Sequence, residues 1–191
     1  MKRMFVVLFW SLTIFLLGGC QKGATKTGSV EVLIDGNGQF PEFLAGTWRA
    51  DNEGWEFVFE PDGSISSAVI SLGRIRIKPG EVTEVPMIKG GKGIFKPGEW
   101  TVHYNPSSRE LTVKISLKDF RIQVEDNVLE GKVTDVFVGQ ISKGGNIWQA
   151  DWTSFPDYIA NTPENPNFKL VADPNYGVET PLTFEKVTKS N

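Results

Sequence analysis

Apolar and polar residues alternate at every second position in many short segments of this chain. The clearest segment is 111–118, where Leu111, Val113, Ile115 and Leu117 are separated by polar residues. The same alternation recurs at 55–60, 74–78, 100–104, 120–125, 148–152 and 182–184. Because successive side chains of a β-strand point to opposite faces, the pattern predicts strands with one buried face and one wet face.

Turn residues separate these segments, which indicates consecutive hairpins. Residues 61–63 (Pro-Asp-Gly), 78–80 (Lys-Pro-Gly) and 144–146 (Gly-Gly-Asn) all favour tight turns. After the N-terminal apolar run, no segment keeps a helical period for more than about two turns. The sequence therefore predicts an all-β fold, an antiparallel meander that closes into a β-barrel. A β-sandwich is the alternative, although the Cys–Trp–Cys spacing of immunoglobulin domains is absent from the sequence.

Residues 153–177 differ from the rest because they contain four prolines, at positions 156, 163, 166 and 174. Proline has no backbone N–H to give to a sheet, so it is confined to edge strands and bulges. We therefore expect a long loop here, with room for one short helix over 155–161. Loops of this length in small domains are often functional or wrap the core.

The N-terminus has the layout of a secretory signal peptide. Lys2 and Arg3 precede an apolar run at 4–17, which Gly18 and Gly19 follow. The run is shorter than the 18 or more apolar residues expected of a permanent membrane span. Small residues after a short apolar region are typical of a cleavage site, so residues 1–19 are predicted to be removed on export.

The residues at this cleavage site, Leu17-Gly18-Gly19-Cys20, resemble the lipobox of bacterial lipoproteins. In that family the cysteine thiol receives a diacylglyceryl group and becomes the new N-terminus. The resemblance implies a cell-envelope protein that is anchored to a membrane through a lipid on Cys20. Cys20 is the only cysteine, which excludes an intramolecular disulfide. The residue after it is Gln21 rather than the aspartate that often retains such proteins at the inner membrane, which favours the outer membrane if the envelope has one.

The predicted chain has three parts: the signal peptide at 1–19, the lipidated cysteine with a flexible spacer at 20–29, and a single all-β domain at 30–191. The spacer contains no large apolar residue beyond Cys20. Loss of Lys2 and Arg3 with the signal peptide changes the formal net charge from −3 to −5. An acidic domain has no general attraction to nucleic acid, so none is expected as a partner. We expect a monomer.

Gly46-Thr47-Trp48 resembles the Gly-x-Trp signature of lipocalins and related calycins. In that family the tryptophan closes one end of an eight-stranded barrel, and a basic residue of the last strand packs across it. The resemblance implies that Trp48 and Lys186 form this closing pair, with lysine in place of the arginine that the family commonly uses.

The sequence offers little catalytic or metal chemistry. His103 is the only histidine, and its strand parity places it away from the core. Zinc sites usually require three or four His, Cys or carboxylate ligands, and the common nucleophile and nucleotide-binding motifs are absent. We therefore expect no catalytic residues, no metal and no cofactor, and an enzyme is the least favoured function.

Aromatic residues are the remaining candidates for a functional site. Large aromatic side chains usually pack in a core, but several together can also line an apolar ligand pocket. The candidates are Trp55, Trp100, Trp148, Trp152, Phe155 and Tyr158. The sequence thus predicts a non-catalytic domain that binds a small apolar or amphipathic ligand. The alternative is a structural or interaction module that contacts envelope proteins or glycans.

Overall fold

A computed structural model of the chain describes residues 23–27, 30–36, 38–88, 90–162 and 165–188. Within these ranges the chain forms fourteen β-strands, two 3₁₀ helices and no α-helix, which confirms the predicted all-β class. In the same ranges neither helix is long and apolar enough to cross a membrane. The helices are Glu42–Leu44 and Leu72–Arg74. The strands are β1 (Gly23–Thr27), β2 (Val30–Ile34), β3 (Gly46–Ala50), β4 (Glu56–Phe59), β5 (Ile65–Ile70), β6 (Ile75–Ile77), β7 (Thr83–Pro86), β8 (Lys92–Pro97), β9 (Trp100–Asn105), β10 (Glu110–Val124), β11 (Asn127–Ile141), β12 (Ile147–Thr162), β13 (Asn165–Val171) and β14 (Glu179–Lys186).

All the described strands belong to one sheet, in which two antiparallel meanders are joined through β14. β3 to β6 form one meander and β9 to β12 form the other, in agreement with the predicted hairpins. β14 pairs with β12 on one side and with β3 on the other. β2 pairs antiparallel with β1 but parallel with β9, so the sheet is mixed.

The predicted closure into a barrel is not confirmed, because the sheet formed by the described strands is open. The strand order begins at β1 and ends at β6, and no described ladder joins these two strands. The β7–β8 hairpin, which follows β6 in sequence, pairs with residues 117–121 of β10 instead of extending the first meander. β6 has only three residues, so it offers few backbone groups to a further partner.

The start of the described chain differs from the predicted spacer. Residues 23–27 form β1 and pair with β2, whereas composition alone placed them in a flexible segment. An exposed strand edge can pair with any extended backbone, whatever its side chains. The predicted signal peptide and Cys20 lie outside the described residues.

The proline-containing region is also more regular than predicted, because β12 continues to Thr162 and β13 follows as a hairpin partner. Pro156 pairs with Val133 of β11. The carbonyl of Ser154 points away from β11, since it accepts the N–H of Gly177 at 2.8 Å. Backbone groups two residues apart face the same way, so the nitrogen of Pro156 also points away from β11. It faces the gap between β14 and β13, where no ladder bond is lost. The loop predicted at 153–177 is therefore wrong over residues 153–162 and 165–171, and the short helix predicted at 155–161 is wrong.

One continuous apolar core draws on strands from β2 to β14, so the sheet curves around it. Aromatic rings dominate this core. Trp48, Phe57, Trp148 and Phe184 are fully buried. Trp148 stacks on Phe184 with ring centroids 4.6 Å apart, and Phe57 stacks on Phe184 at 5.4 Å. Such pairs add about 0.5–1.5 kcal/mol each beyond the burial of their area, and here they hold β4, β12 and β14 together.

A charged cluster joins strands of the first meander on the opposite face of the sheet. The carboxylate of Glu56 on β4 accepts hydrogen bonds from Arg49 on β3, at 2.9 and 3.1 Å, and from Arg76 on β6. Burial raises the pKa of Glu56, but the hydrogen bonds and charges of Arg76 and Arg49 outweigh burial and hold it below its usual value. Because the carboxylate is already paired, it serves the structure of this meander.

Candidate ligand-binding cavity

A cavity of about 320 Å³ lies against the inner face of the three longest strands. β10 contributes Leu117, β11 contributes Val133 and Asp135, and β12 contributes Trp152 and Tyr158. Because these strands are antiparallel, the later parts of β10 and β12 lie beside the first part of β11. We call this region the cavity end. The other end of the same strands, at 111–115, 137–141 and 148–150, is called the packed end.

Elements from the first meander form the opposite wall of the cavity. Trp55 lies just before β4, Ile70 ends β5, and Leu72 belongs to the second 3₁₀ helix. Trp55 is 1% exposed and its ring meets that of Trp152 edge-on, with centroids 5.7 Å apart. The cavity therefore lies between the two meanders and has aromatic rings on both sides.

Strand periodicity determines which side chains of β11 face the cavity. Leu129, Val133, Asp135 and Phe137 lie at odd positions and share the inner face. Asp135 is only 6% exposed even though it carries a carboxyl group. Asp135 lies between Val133 at the cavity end and Phe137 at the packed end. An ionisable group is therefore located at the boundary between the packed core and the cavity.

The carboxyl group of Asp135 is held by hydrogen bonds from β12. The indole N–H of Trp152 donates to Oδ1 of Asp135 at 2.9 Å. Burial raises the pKa of Asp135 to about 6, although hydrogen bonds from Trp152 and Ser154 oppose the rise. None of the described ion pairs involves this carboxylate. The buried acid is thus oriented by neutral donors, and no basic side chain of the described residues is paired with it.

Two further polar groups lie at the rim. The hydroxyl of Tyr158 donates to Oδ2 of Asp173 at 3.1 Å. Burial and the neighbouring Asp173 carboxylate both raise the pKa of Tyr158. The loop that carries Asp173 is fixed by the Gly177 N–H, which donates to the Ser154 carbonyl at 2.8 Å. The rim therefore has a defined position relative to β12.

The structure divides the six aromatic candidates into two groups. Trp55, Trp152 and Tyr158 line the cavity. Trp100 and Trp148 are fully buried in the core and lie outside the cavity wall. The indole N–H of Trp100 donates to the Ser116 carbonyl at 3.1 Å.

Phe155 lies on the outer face of the sheet, also outside the cavity wall, where its ring meets that of Tyr176 at 5.5 Å. It is an odd-numbered residue of β12, whereas the inner face carries the even-numbered Trp152 and Tyr158. Because residues 153–177 were predicted to form a loop, the alternation of faces along a strand was not applied to Phe155.

Sequence reasoning missed the polar residues of the cavity, Asp135 above all. A signal was present but ambiguous, because Asp135 has the same parity as Val133 and Phe137, while Val136 and Val138 place apolar residues on the other face as well. A charged residue at an inward position of a strand is uncommon and points to either a salt bridge or a site. Asp173 carried no comparable signal, since its position depends on how the following loop folds.

The predicted closing pair is in contact at the start of β3. Trp48 and Lys186 are register partners in the β3–β14 ladder. The indole N–H of Trp48 donates to the Leu44 carbonyl at 2.8 Å, and Nζ of Lys186 donates to the Phe43 carbonyl at 2.7 Å. A Cβ added to Gly46 would come within 3.3 Å of Cε of Lys186, so glycine leaves room for the lysine stem.

His103 lies away from the core, as its parity predicted. Its Nε2 is 3.0 Å from Oδ1 of Asp35, and both side chains are about a third exposed. Within the described ranges no three His, Cys, Asp or Glu side chains converge in a way that could hold a metal ion.

Comparisons of the sequence with protein-family models and with curated proteins, and of the fold with solved structures, find no match for this chain. The functional argument therefore depends on the chemistry of the cavity and of the N-terminal sequence.

Proposed function

We propose that this chain is a membrane-anchored lipoprotein of the bacterial envelope whose β-sheet domain binds a small amphipathic ligand without chemical change. The observation that carries the proposal is the cavity between the two meanders. Its volume of about 320 Å³ is within the range of small-molecule sites. Apolar and aromatic side chains form most of its wall, and a few polar groups converge on it, as in sites that orient an amphipathic molecule.

The proposed anchor is a lipid on Cys20, supported by the Leu17-Gly18-Gly19-Cys20 sequence. Two or more acyl chains hold a protein firmly at a bilayer, at about 0.8 kcal/mol per buried CH₂. Labelled fatty acid should be incorporated into the wild-type chain, which should also be shortened by cleavage. The Cys20→Ser variant should take up no label and remain at precursor length. Label in that variant would contradict the anchor.

We further propose that the architecture is an open relative of the lipocalin barrel. Three features at one end of the sheet support this: β3 pairs with the last strand, a 3₁₀ helix precedes β3, and Lys186 lies opposite Trp48. In this interpretation the β7–β8 hairpin interrupts the meander and leaves the ligand cavity beside β6.

Native mass spectrometry tests the binding function most simply. The full chain, purified in lipid nanodiscs and released in the spectrometer, should carry a noncovalent mass in addition to its lipid anchor. Val133→Trp would fill the cavity and should remove that mass. Val138→Trp is the matched control, because Val138 lies on the outer face of the same strand and is 39% exposed. Equal retention of the bound mass by both variants would refute the cavity as the binding site.

A second candidate function is protein interaction, which is favoured by apolar side chains on and after β13. Leu170 is 76% exposed, Tyr176 59% and Val178 51%. Exposed apolar groups of this kind are common at interaction surfaces. A photo-crosslinking residue at position 170 should then give one discrete adduct in cells, whereas the same residue at exposed Lys114 should give none. Identical adducts at both positions would refute this candidate.

A further inference from the structure

We infer that the cavity selects ligands that carry a positively charged amine next to an apolar group. This inference rests on the ligand-binding function proposed above and adds the chemical class of the ligand. It follows from the sign of the charges in the wall, from the arrangement of aromatic rings, and from the buried acid, which has no basic partner in the part of the chain that the structure describes.

The ionisable groups that face the cavity are all acids. The carboxyl groups of Glu53, Asp135 and Asp173 and the phenol of Tyr158 line it, and among the described lining residues there is no lysine, arginine or histidine. A carboxylate or phosphate ligand would meet only like charge here, while an ammonium group would meet opposite charge. In a site partly screened from water such differences are larger than at a surface.

The aromatic rings suit a cation as well as an apolar group. Trp55 and Trp152 meet edge-on at 5.7 Å, and the rings of Phe120 and Tyr158 lie 6.5 Å apart at an interplanar angle of 56°. Ammonium groups are attracted to the faces of such rings, and sites that bind quaternary ammonium are built from several of them. The same rings give an apolar surface to the rest of the ligand.

Asp135 provides the strongest part of the inference. A buried carboxylate is costly unless an opposite charge balances it. Asp135 is 6% exposed, lies in the cavity wall, and has only the neutral donors Trp152 and Ser154 beside it in the described structure. A cationic ligand would supply the missing opposite charge.

Basic residues that lie close to this site must be weighed. Arg74 shares an adjoining surface depression with Glu53, and Lys118 and Lys132 share another with Tyr158. Lys132 is paired with Asp157 at 3.1 Å. None of these three basic residues lines the cavity with Asp135 and Asp173, so the two acids determine the preference.

Three soluble probes with one benzyl group test the inference: benzyltrimethylammonium, benzyl alcohol and phenylacetate. Each is titrated by calorimetry into the full chain in zwitterionic nanodiscs, with empty nanodiscs as the reference. We expect benzyltrimethylammonium to bind at least about tenfold more tightly than phenylacetate, since about 1.4 kcal/mol corresponds to tenfold. Benzyl alcohol should lie between them.

Variants of the acidic residues test whether they cause the preference for a cationic ligand. Asp135→Asn keeps an acceptor for the Trp152 N–H and should weaken cation binding about tenfold without changing benzyl alcohol binding. Asp173→Asn at the rim should have a smaller effect in the same direction. Asp151→Asn, on the exposed outer face of β12, is the matched control and should change nothing. If Asp135→Asn does not fold, Asp173→Asn still tests the preference.

The contrary outcomes are distinct. Equal affinity for all three probes, or tighter binding of phenylacetate, would overturn the inference about charge. If benzyl alcohol binding is then still lost in Val133→Trp, the proposed binding function stands. Cation binding that survives Val133→Trp would overturn the inference by placing the cation outside the cavity. If no probe binds, the inference fails, and the mass spectrometry described above decides separately whether the cavity holds a ligand.

Discussion

The two ends of β10, β11 and β12 show how a single sheet face can be both core and cavity. Leu111 and Leu117 lie on the same face of β10, and Trp148 and Trp152 on the same face of β12. At the packed end, Leu111 and Trp148 are fully buried in the apolar core, and the ring of Trp148 meets rings of β4 and β14. At the cavity end, Leu117 and Trp152 border a space of about 320 Å³.

The difference arises from what covers the strands rather than from the strands themselves. β14 pairs with β12 only over residues 147–153, and β3 pairs with β14 beyond it. Past residue 153 the cover consists of the 3₁₀ helix Leu72–Arg74 and the loop that carries Asp173. β10, β11 and β12 extend beyond the elements that pack against their inner face. Their inner side chains there have fewer packing partners, and the space beside them can hold a ligand.

The largest expected effect is at the packed end. Trp48→Ala removes a fully buried indole and should lower the free energy of unfolding by about 3–5 kcal/mol in urea titrations. Lys186→Ala should cost about 1 kcal/mol through its lost stem contact and hydrogen bond. The two losses should not add in the double variant, because the residues are neighbours. Strict additivity would remove the support for a lipocalin-like closing pair.

Two leucines on the same face of β10 allow the packing at the two ends to be compared directly. Leu111→Ala should cost about 3–4 kcal/mol, and Leu117→Ala about 2 kcal/mol, because a side chain that already borders a cavity loses fewer contacts. Thermal or urea melts of both variants measure the difference directly. A larger loss at position 117 than at 111 would mean that the cavity end is packed as tightly as the other end.

An effect of opposite sign is expected from Asp135→Asn. Burial raises the pKa of Asp135 from 3.8 to about 6, so the ionised form destabilises the folded chain at pH 7. Replacing it should increase the free energy of unfolding by about 2–3 kcal/mol at pH 7. A native residue that lowers the stability of the fold in this way is typical of a functional site.

The raised pKa of Asp135 also determines whether the stability of the folded chain rises or falls with pH. Between pH 7 and pH 5 the folded chain takes up a proton at Asp135 that the unfolded chain does not, so wild type should gain about 1 kcal/mol relative to Asp135→Asn as pH falls. The comparison between the two proteins cancels the contributions of groups that both share. A wild-type advantage that grows with rising pH would contradict the burial of an unbalanced acid.

Local pattern was sufficient for part of this structure. Alternation from Leu111 to Leu117 predicted the first half of β10, and parity was enough to place His103 outside the core and Trp152 inside it. Pro156 misled the interpretation of β12, because a proline is tolerated wherever its nitrogen faces a gap between neighbouring strands. That gap exists only once β13 and β14 have taken their places on the same edge of β12.

The cavity itself could not be predicted for a similar reason. Asp135 shares its parity with Val133 and Phe137, but Val136 and Val138 are also apolar, so local alternation did not show which face of β11 is buried. Whether an inward side chain meets a packed ring or an open space depends on how far β14 extends along β12. The length of the β12–β14 ladder depends on pairing between residues far apart in the sequence, which local alternation does not predict.

A crystal structure of the chain with benzyltrimethylammonium would show whether the cavity binds a cation as proposed. We expect the benzyl group to lie against the rings of Trp55 and Trp152, and the ammonium group to lie beside the carboxylate of Asp135. Density for the probe at another surface, or a cavity end filled by its own side chains, would contradict the proposal.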